Sequence, residues 1–240
     1  MLKTPETIRR LQRKLYRKAK QEPAYRFYAL YDKVYRADIL SHAYHLVREK
    51  KGSAGIDGVT FDTLEAREGG TAFLAELQEA LKSKTYAPKP VRRVMIPKGD
   101  GTERPLGIPT IRDRVAQMAL KLVIEPVFEA DFLDCSYGFR PKRSAHDAIE
   151  EISHALNSGY TEVIDADVSK YFDTIPHAKL MAVVAERIVD GEILRLIRMW
   201  LKAPVVEAAK DGRARNVGGG KANTKGTPQG GVISPLLANL

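Results

Sequence analysis

Apolar residues recur at helical spacing along the first third of the chain. Residues three or four apart share one face of an α-helix, so an apolar stripe opposite charged residues indicates a helix packed on a core. Gly52 and the pair Gly69-Gly70 interrupt this pattern and separate the predicted segments. The predicted stripes are Ile8 to Ala19, a second helix opening at Pro23 that carries Phe27 to Tyr35, then Leu40 to Val47, and Leu74 to Leu81.

The spacing of apolar residues changes after residue 90. The segments "VRRVMI" (91–96) and "ERPLGI" (103–108) flank "PKGDGT", whose Asp-Gly pair predicts the tight turn of a β-hairpin. The alternating β-branched residues of "TEVIDADV" (161–168) predict another strand. Further helices are predicted at 112–128, 144–156, 177–188 and 192–201, and a second hairpin around Asp211-Gly212. This pattern predicts an α+β class, rich in helices and with short antiparallel strands.

The distribution of charge adds a possible partner. The net charge of the 240-residue chain is +9, and residues 1–36 carry eleven Lys or Arg against three Asp or Glu. Tyr16, Tyr25, Tyr28 and Tyr31 are interleaved with these cations, a composition that suits the phosphate backbone of a nucleic acid. A solvated helix face with no ligand has the same composition, and the N-terminal segment alone does not decide between the two.

The composition also bounds the cellular setting. A hydrophobic fraction of 44% is enough for a proper core, in one large domain or two small ones. Cys135 is the only cysteine, which excludes an internal disulfide and fits a reducing compartment. The N-terminus lacks the apolar block of a signal peptide, and no apolar run reaches the roughly 18 residues of a membrane span. We therefore expect a cytoplasmic protein without membrane contact.

Two carboxylates in the predicted strand 161–168 are candidate metal ligands. Alternate residues of a strand share a face, so Asp165 and Asp167 would lie roughly 6–7 Å apart on one open surface. Two ionised carboxylates so placed favour a screening cation, and Mg²⁺ prefers hard oxygen ligands together with substrate phosphates. Aspartates that simply face solvent at a strand end are common, and the spacing alone favours that interpretation.

Five segments, read together, carry a resemblance to a known family. They occur in this order: "GIDGVT" (55–60), "RVMIPKGDGTERPLGIPTIRDRVAQ" (93–117), "SYGFRPKRSAHDAI" (136–149), "DVSKYFD" (167–173) and "GTPQGGVISPLLAN" (226–239). Together they resemble the reverse transcriptases encoded by bacterial and organellar group II introns. The resemblance covers the chain from about residue 30 to its last residue and implies helix-rich fingers followed by part of a palm.

The resemblance implies roles for individual residues. Asp167 is expected to bind the catalytic Mg²⁺ together with the carbonyl of Val168, whereas Asp165 matches no ligand position. Lys98 and Arg104 of the hairpin are expected to hold the incoming triphosphate. Phe172 would be the steric gate against a ribose 2′-hydroxyl, and Gln229 would contact the nucleotide. The residues expected to contact template or intron RNA are Arg9, Arg10, Arg13, Lys14, Arg17, Arg140 and Arg143.

The resemblance further implies an organisation and its limits. The expected units are a basic helical extension (1–36), fingers (37–160) and a partial palm (161–240). The family's Tyr-x-Asp-Asp hairpin, thumb and maturase segment are not found here, so this incomplete half is expected to be inactive alone. The expected activity is RNA-directed DNA synthesis for retrohoming, on intron RNA with a DNA primer and dNTPs. A non-catalytic RNA-binding module and a retron, defence or CRISPR-associated reverse transcriptase are the alternatives.

Overall fold

Eleven helices and four strands are found in the part of the chain that the structure describes. The computed structural model describes residues 2–66, 70–99, 101–208, 214–227 and 229–240. In chain order the elements are α1 Glu6–Gln21, α2 Tyr31–Val34, α3 Ala37–Glu49, α4 Phe61–Glu65, α5 Thr71–Lys82, β1 Val91–Pro97, β2 Glu103–Ile108, α6 Ile111–Glu129, α7 Ala145–Asn157, α8 Tyr171–Thr174, α9 His177–Arg187, α10 Gly191–Leu201, β3 Val205–Ala208, β4 Ala214–Gly218 and α11 Ser234–Ala238.

Helix α6 is the centre of the core. It begins after Thr110, whose hydroxyl accepts a hydrogen bond from the N–H of Asp113. Most of its residues are buried, and the buried residues lie on every face of the helix. The buried stripe of α1, with Ile8 and Leu15, belongs to the same apolar cluster as α6. Helix α3 packs on α6 as well. A helix buried on every side needs neighbours all round, and this explains why so many short helices surround it. Among the described residues, no helix combines the length and hydropathy needed to cross a bilayer.

The described residues form a sheet of four strands in the order β2-β1-β3-β4. Strands β1 and β2 form the predicted antiparallel hairpin, with Ile96 opposite Arg104, although Asp100 of its predicted turn lies outside the described residues. Strand β3 pairs in parallel with β1, which the sequence did not predict, and antiparallel with β4. The β3–β4 pairing confirms the strands of the second predicted hairpin, although its turn at 211–212 lies outside the described residues.

The helix predicted to open at Pro23 is much shorter than expected. Only α2 is helical, because the backbone of Phe27 bonds to a distant segment: its N–H donates to Arg187 and its carbonyl accepts from Val189. The carboxylate of Asp190 then accepts hydrogen bonds from the N–H groups of Leu30 and Tyr31, at 2.8 and 2.9 Å. The helix starts only at Tyr31, the second of these donors, so contacts distant in sequence override the local helical spacing.

The predicted strand 161–168 is not a strand, and this prediction was wrong. Every residue of the segment is exposed and belongs to no described strand. Ile164, expected to pack against helices, is 94% exposed. Alternation alone does not make a strand, because its N–H and C=O groups need a neighbouring ladder. No described strand runs beside this segment. The preceding helix α7 likewise buries none of its residues.

Candidate nucleotide and RNA site

The β1–β2 hairpin presents two cations on one face. The N–H of Lys98 donates to the carbonyl of Thr102 at 2.7 Å, which continues the register that pairs Ile96 with Arg104. In this register Lys98 and Arg104 are diagonal neighbours on the same side of the ribbon. Both side chains are exposed. The hairpin therefore offers a compact ammonium and a planar guanidinium to one anion, a combination that suits a polyphosphate.

The loop that contains Gln229 is attached to the base of this hairpin. The N–H of Gly107 donates to the carbonyl of Gln229 at 2.6 Å. Gly230 has a φ of +105°, and a Cβ at this position would lie 2.3 Å from the carbonyl oxygen of Gly107. The close approach of the two backbones thus requires glycine at position 230. Gln229 is held beside the strand that carries Arg104.

A buried glutamine fixes the next turn of the same loop. The Oε1 of Gln117 in α6 accepts hydrogen bonds from the N–H groups of Val232 and Ile233, at 2.8 and 3.4 Å. Gln117 is 5% exposed. Gln117 was not among the residues predicted from the sequence. The available signal was an uncharged polar side chain within the mostly apolar run 115–124 of the predicted helix, since such a side chain needs a partner when it is buried.

A second buried polar group lies at the base of the hairpin. The carboxylate of Asp113 accepts hydrogen bonds from the Tyr86 hydroxyl at 2.6 Å, the Thr110 hydroxyl at 2.7 Å and the Lys89 N–H at 3.2 Å. Trp200 donates to the same Tyr86 hydroxyl at 2.9 Å. Burial raises the pKa of Asp113 above its ordinary range, and the hydrogen bonds oppose this shift. These contacts connect the start of β1 to α6 and α10.

The loop also reaches the "DVSKYFD" block. The N–H of Thr227 donates to the carbonyl of Phe172 at 2.7 Å. The Nε2 of Gln229 lies 3.4 Å from Oδ2 of Asp173, which is a long hydrogen bond. Phe172 is half-buried and makes edge-to-face contacts with Tyr171 and Phe139. The structure therefore brings the hairpin, Gln229 and Phe172 together in one region.

Asp167 and Val168 lie on the exposed segment before α8. Both residues are exposed, and so is Asp165. The carboxylate of Asp167 and the carbonyl of Val168 are oxygen ligands of the kind that Mg²⁺ accepts. Within the described ranges, no group of three or more His, Cys, Asp or Glu residues could hold a metal ion. The residues present thus fit one part of a metal site, with substrate oxygens or further carboxylates needed to complete it.

The basic residues of α1 line a cleft against α6. The cleft has a volume of about 1070 Å³ and a floor that includes Leu122, Glu125 and Glu129. Burial raises the pKa of Glu125, and the ammonium of Lys121 at 3.2 Å partly offsets this effect. Lys14 is exposed on the same helix but outside the cleft. The cations that line the cleft are Arg9, Arg10, Arg13, Arg17 and Lys142.

The two arginines of "YGFRPKR" are engaged within the protein, which is a correction for Arg140. Arg140 is 8% exposed, pairs with Glu129 at 2.7 Å and donates to the carbonyls of Leu133 and Ser136. Its guanidinium therefore holds the loop and is not available to a template strand in this arrangement. Arg143 pairs with Asp134 at 3.0 Å but keeps part of its side chain exposed. The sequence could not separate these two because both precede the same helix start.

Comparison with known proteins gives a family match and similar proteins that cover most of this chain. Residues 96–240 match the family described as reverse transcriptase (RNA-dependent DNA polymerase). The chain is 41% identical to Protein YkfC of Escherichia coli (strain K12) over 239 residues, which covers 97% of this chain and 60% of YkfC. It is 35% identical to the group II intron-encoded protein LtrA of Lactococcus lactis subsp. cremoris over 215 residues, which covers 89% of this chain and 34% of LtrA.

A solved structure shares the fold. A chain of a partial Cas6-RT-Cas1–Cas2 complex aligns with a TM-score of 0.54 at 24% identity, covering 88% of this chain and 33% of that chain. At this identity the likeness concerns the fold alone. The present chain thus spans about three fifths of YkfC and about a third of LtrA.

Proposed function

Because this chain belongs to the reverse transcriptase family, we propose that it forms the nucleotide- and template-binding part of an RNA-directed DNA polymerase of the group II intron type. The observation that carries the proposal is the junction at Gly107 and Gln229, which unites the cationic hairpin with the loop beside Phe172. The β1–β2 hairpin, the loop that contains Gln229 and the segment that contains Phe172 are distant in sequence and meet there. Each bears a residue type suited to one portion of a nucleoside triphosphate. In this proposal the protein acts in the cytoplasm on intron RNA, with a DNA primer and dNTPs.

Each residue of the junction has a distinct task. Lys98 and Arg104 neutralise the triphosphate and orient it, the guanidinium through paired hydrogen bonds and the ammonium as a point charge. Gln229 contacts the nucleotide from the loop that is fixed to β2. Phe172 excludes a ribose 2′-hydroxyl by occupying the space that this group needs. Discrimination against a ribonucleotide therefore depends on how firmly the aromatic ring of Phe172 is held in place.

The carboxylate of Asp167 and the carbonyl of Val168 are the proposed ligands of Mg²⁺. When bound, the metal neutralises phosphate charge and lowers the barrier to phosphoryl transfer. A two-metal site needs more than one carboxylate, and the sequence contains no Asp-Asp pair. We therefore propose that these 240 residues bind substrates without completing the polymerase site.

The basic face of α1 is the proposed RNA contact. Its arginines border an open cleft, although Glu6 pairs with Arg9 at 2.6 Å and also with Arg13. Exposed ion pairs of this kind are weak and exchange readily for phosphate. In this assignment residues 1–36 are an RNA-binding extension, 37–160 are the fingers and 161–240 are part of the palm.

Primer extension tests the catalytic part of the proposal. The chain is incubated with Mg²⁺, all four dNTPs and a DNA primer annealed to an RNA template, with an active reverse transcriptase in a parallel reaction. The proposal expects no extension by this chain and full extension in the parallel reaction. Clear product from the chain itself would contradict the incomplete metal site.

A titration against structured RNA tests the binding part. The affinity is measured at two salt concentrations for the wild type and for a variant with glutamine at positions 9, 10, 13, 14 and 17. Because each released counterion adds to the salt dependence, the variant is expected to bind more weakly and with a shallower slope. A matched variant with glutamine at the exposed positions 50, 51, 82, 84 and 179 removes five positive charges elsewhere and is expected to bind like the wild type. Unchanged binding by the α1 variant would exclude the basic face.

A further inference from the structure

Phe139 has two features that are energetically unfavourable for the folded protein. Its φ is +56°, in the left-handed region that residues with a Cβ rarely adopt. Its large apolar ring is nevertheless 64% exposed. A strained backbone that buries its side chain is explained by packing, but this one presents the ring to solvent. Strain of this kind persists where the surrounding structure imposes it, and such positions concentrate at ligand sites.

The surroundings of Phe139 impose the conformation from both sides. On one side the buried Arg140 donates to the carbonyls of Leu133 and Ser136 at 2.5 and 2.6 Å and pairs with Glu129. On the other side the side-chain amide of Asn239 donates to the carbonyl of Gly138 at 2.6 Å. The residues immediately before and after Phe139 are therefore fixed. The position of the ring follows from these contacts and not from burial of the ring itself.

The exposed ring stands against Phe172. The ring centroids are 6.5 Å apart with an interplanar angle of 89°, so the two rings form an edge-to-face step. Two exposed lysines lie close in sequence on either side of this step, Lys142 after Phe139 and Lys170 before Phe172. Both have a positive φ, +61° and +52°. Aromatic faces next to cations are the combination that single-stranded nucleic acids recognise, because bases stack while the backbone is neutralised.

We propose that Phe139 and Phe172 form a stacking platform for an unpaired base of a single-stranded RNA template, with Phe139 supplying the open ring face. The inference rests on the proposed function, because it places this platform beside the proposed nucleotide pocket. A stacking platform accepts every base, since each has a π-face, so it holds the template strand without reading its sequence. Phe139 therefore contacts the template directly, whereas Arg140 beside it positions the loop.

Substitution with glycine separates stacking from structure. Phe139→Gly removes the ring and also relieves the positive φ, so a merely structural role predicts a chain at least as stable, with unchanged RNA binding. The proposal predicts the same or higher melting temperature together with weaker binding of a fluorescent single-stranded oligoadenylate, by roughly fivefold or more. Phe139→Trp keeps a ring and is expected to retain binding. Tyr160→Ala removes another exposed aromatic ring and serves as the matched control.

The outcomes distinguish this inference from the proposed function. If the wild type binds Mg²⁺–dNTP and oligoadenylate, and Phe139→Gly binds both equally well, the platform is wrong while the proposed function stands. The ring would then be a contact for another polypeptide. If the wild type binds neither ligand, the proposed function fails and the platform fails with it. Loss of oligoadenylate binding in Phe139→Gly, with dNTP binding retained, supports the platform specifically.

Discussion

The carbonyl of Gln229 accepts a hydrogen bond from the N–H of Gly107 at 2.6 Å, although the two residues are far apart in the sequence. This bond joins the loop after β4 to the second strand of the hairpin. The proposed nucleotide contact therefore depends on the position of the hairpin, and a shift of either element moves both. Two neighbouring features, Gly230 and Gln117, keep the junction in place and can be tested separately.

Gly230→Ala is expected to open the junction. The added Cβ would lie 2.3 Å from a backbone oxygen and would force a residue with a side chain into a φ of +105°. We expect a loss of about 1–3 kcal/mol in the free energy of unfolding, measured by urea denaturation, together with weaker Mg²⁺–dNTP binding. Gly99→Ala is the control, because a Cβ there meets nothing within 4 Å. A variant at position 230 that unfolds like the wild type would contradict the close approach.

Gln117→Leu is expected to release the turn at Val232 and Ile233. The leucine has similar bulk but no acceptor, so two backbone N–H groups lose their partner, at a cost of about 1–3 kcal/mol for each buried donor. Hydrogen exchange at the amides of Val232 and Ile233 should accelerate more than exchange at the amides of α6. Gln21→Leu is the matched control, since Gln21 is exposed at the end of α1. Unchanged protection at both amides would show that Gln117 does not hold the loop.

The parts of the fold that the sequence predicted are those determined by neighbouring residues. The strands that flank the Asp-Gly pair and the apolar spacing of α6 are both determined within a few positions, and the predicted helix 112–128 is observed as α6, Ile111–Glu129. The missed features depend on distant contacts. Gln117 accepts hydrogen bonds from residues more than a hundred positions later. Phe27 and the start of α2 bond to residues 187–190, also more than a hundred positions later, and this shortens the helix predicted to open at Pro23.

The candidate site was predictable to a similar extent. The resemblance named Lys98, Arg104 and Gln229, and the structure brings their segments together. It could not indicate that Arg140 is buried in an ion pair, because arginines before a helix start look alike in sequence whether they bind a ligand or a carboxylate. Nor could alternation in residues 161–168 reveal whether a neighbouring strand is present, since pairing is a property of two segments.

The segment 161–168 makes a direct prediction for hydrogen exchange. Its residues are exposed and belong to no described strand, so their amides should exchange at nearly the rate of an unstructured peptide. Amides in α6, which are buried and bonded, provide the internal reference. Strong protection across 161–168 would mean that another polypeptide, or a second copy of the chain, pairs with the segment in solution.

Glu125→Gln is expected to flatten the pH dependence of stability. Burial raises the folded-state pKa of Glu125 above its ordinary value of 4.5, so the folded protein holds this proton more tightly than the unfolded chain. The resulting stabilisation is fully present below pH 4.5 and is lost as the pH rises through the raised pKa. The variant removes the part of the stability loss with rising pH that comes from Glu125. A smaller slope remains, because the pKa of Asp113 is also raised by burial and this group destabilises the folded protein in the same direction. Thermal denaturation between pH 4 and 8 measures the slope, with the exposed Glu76→Gln as control.

The most direct test of the central claim is equilibrium dialysis of a dNTP with Mg²⁺ against the wild type and the variant Lys98→Ala with Arg104→Ala. The account predicts that the variant binds on the order of a hundredfold more weakly or worse, because each of the two lost charge-assisted contacts contributes about 1.5–3 kcal/mol. A control with Lys50→Ala and Lys82→Ala, which removes the same charge from other exposed positions, should bind like the wild type. Equal affinity of the wild type and the hairpin variant would contradict the claim that this hairpin holds the triphosphate.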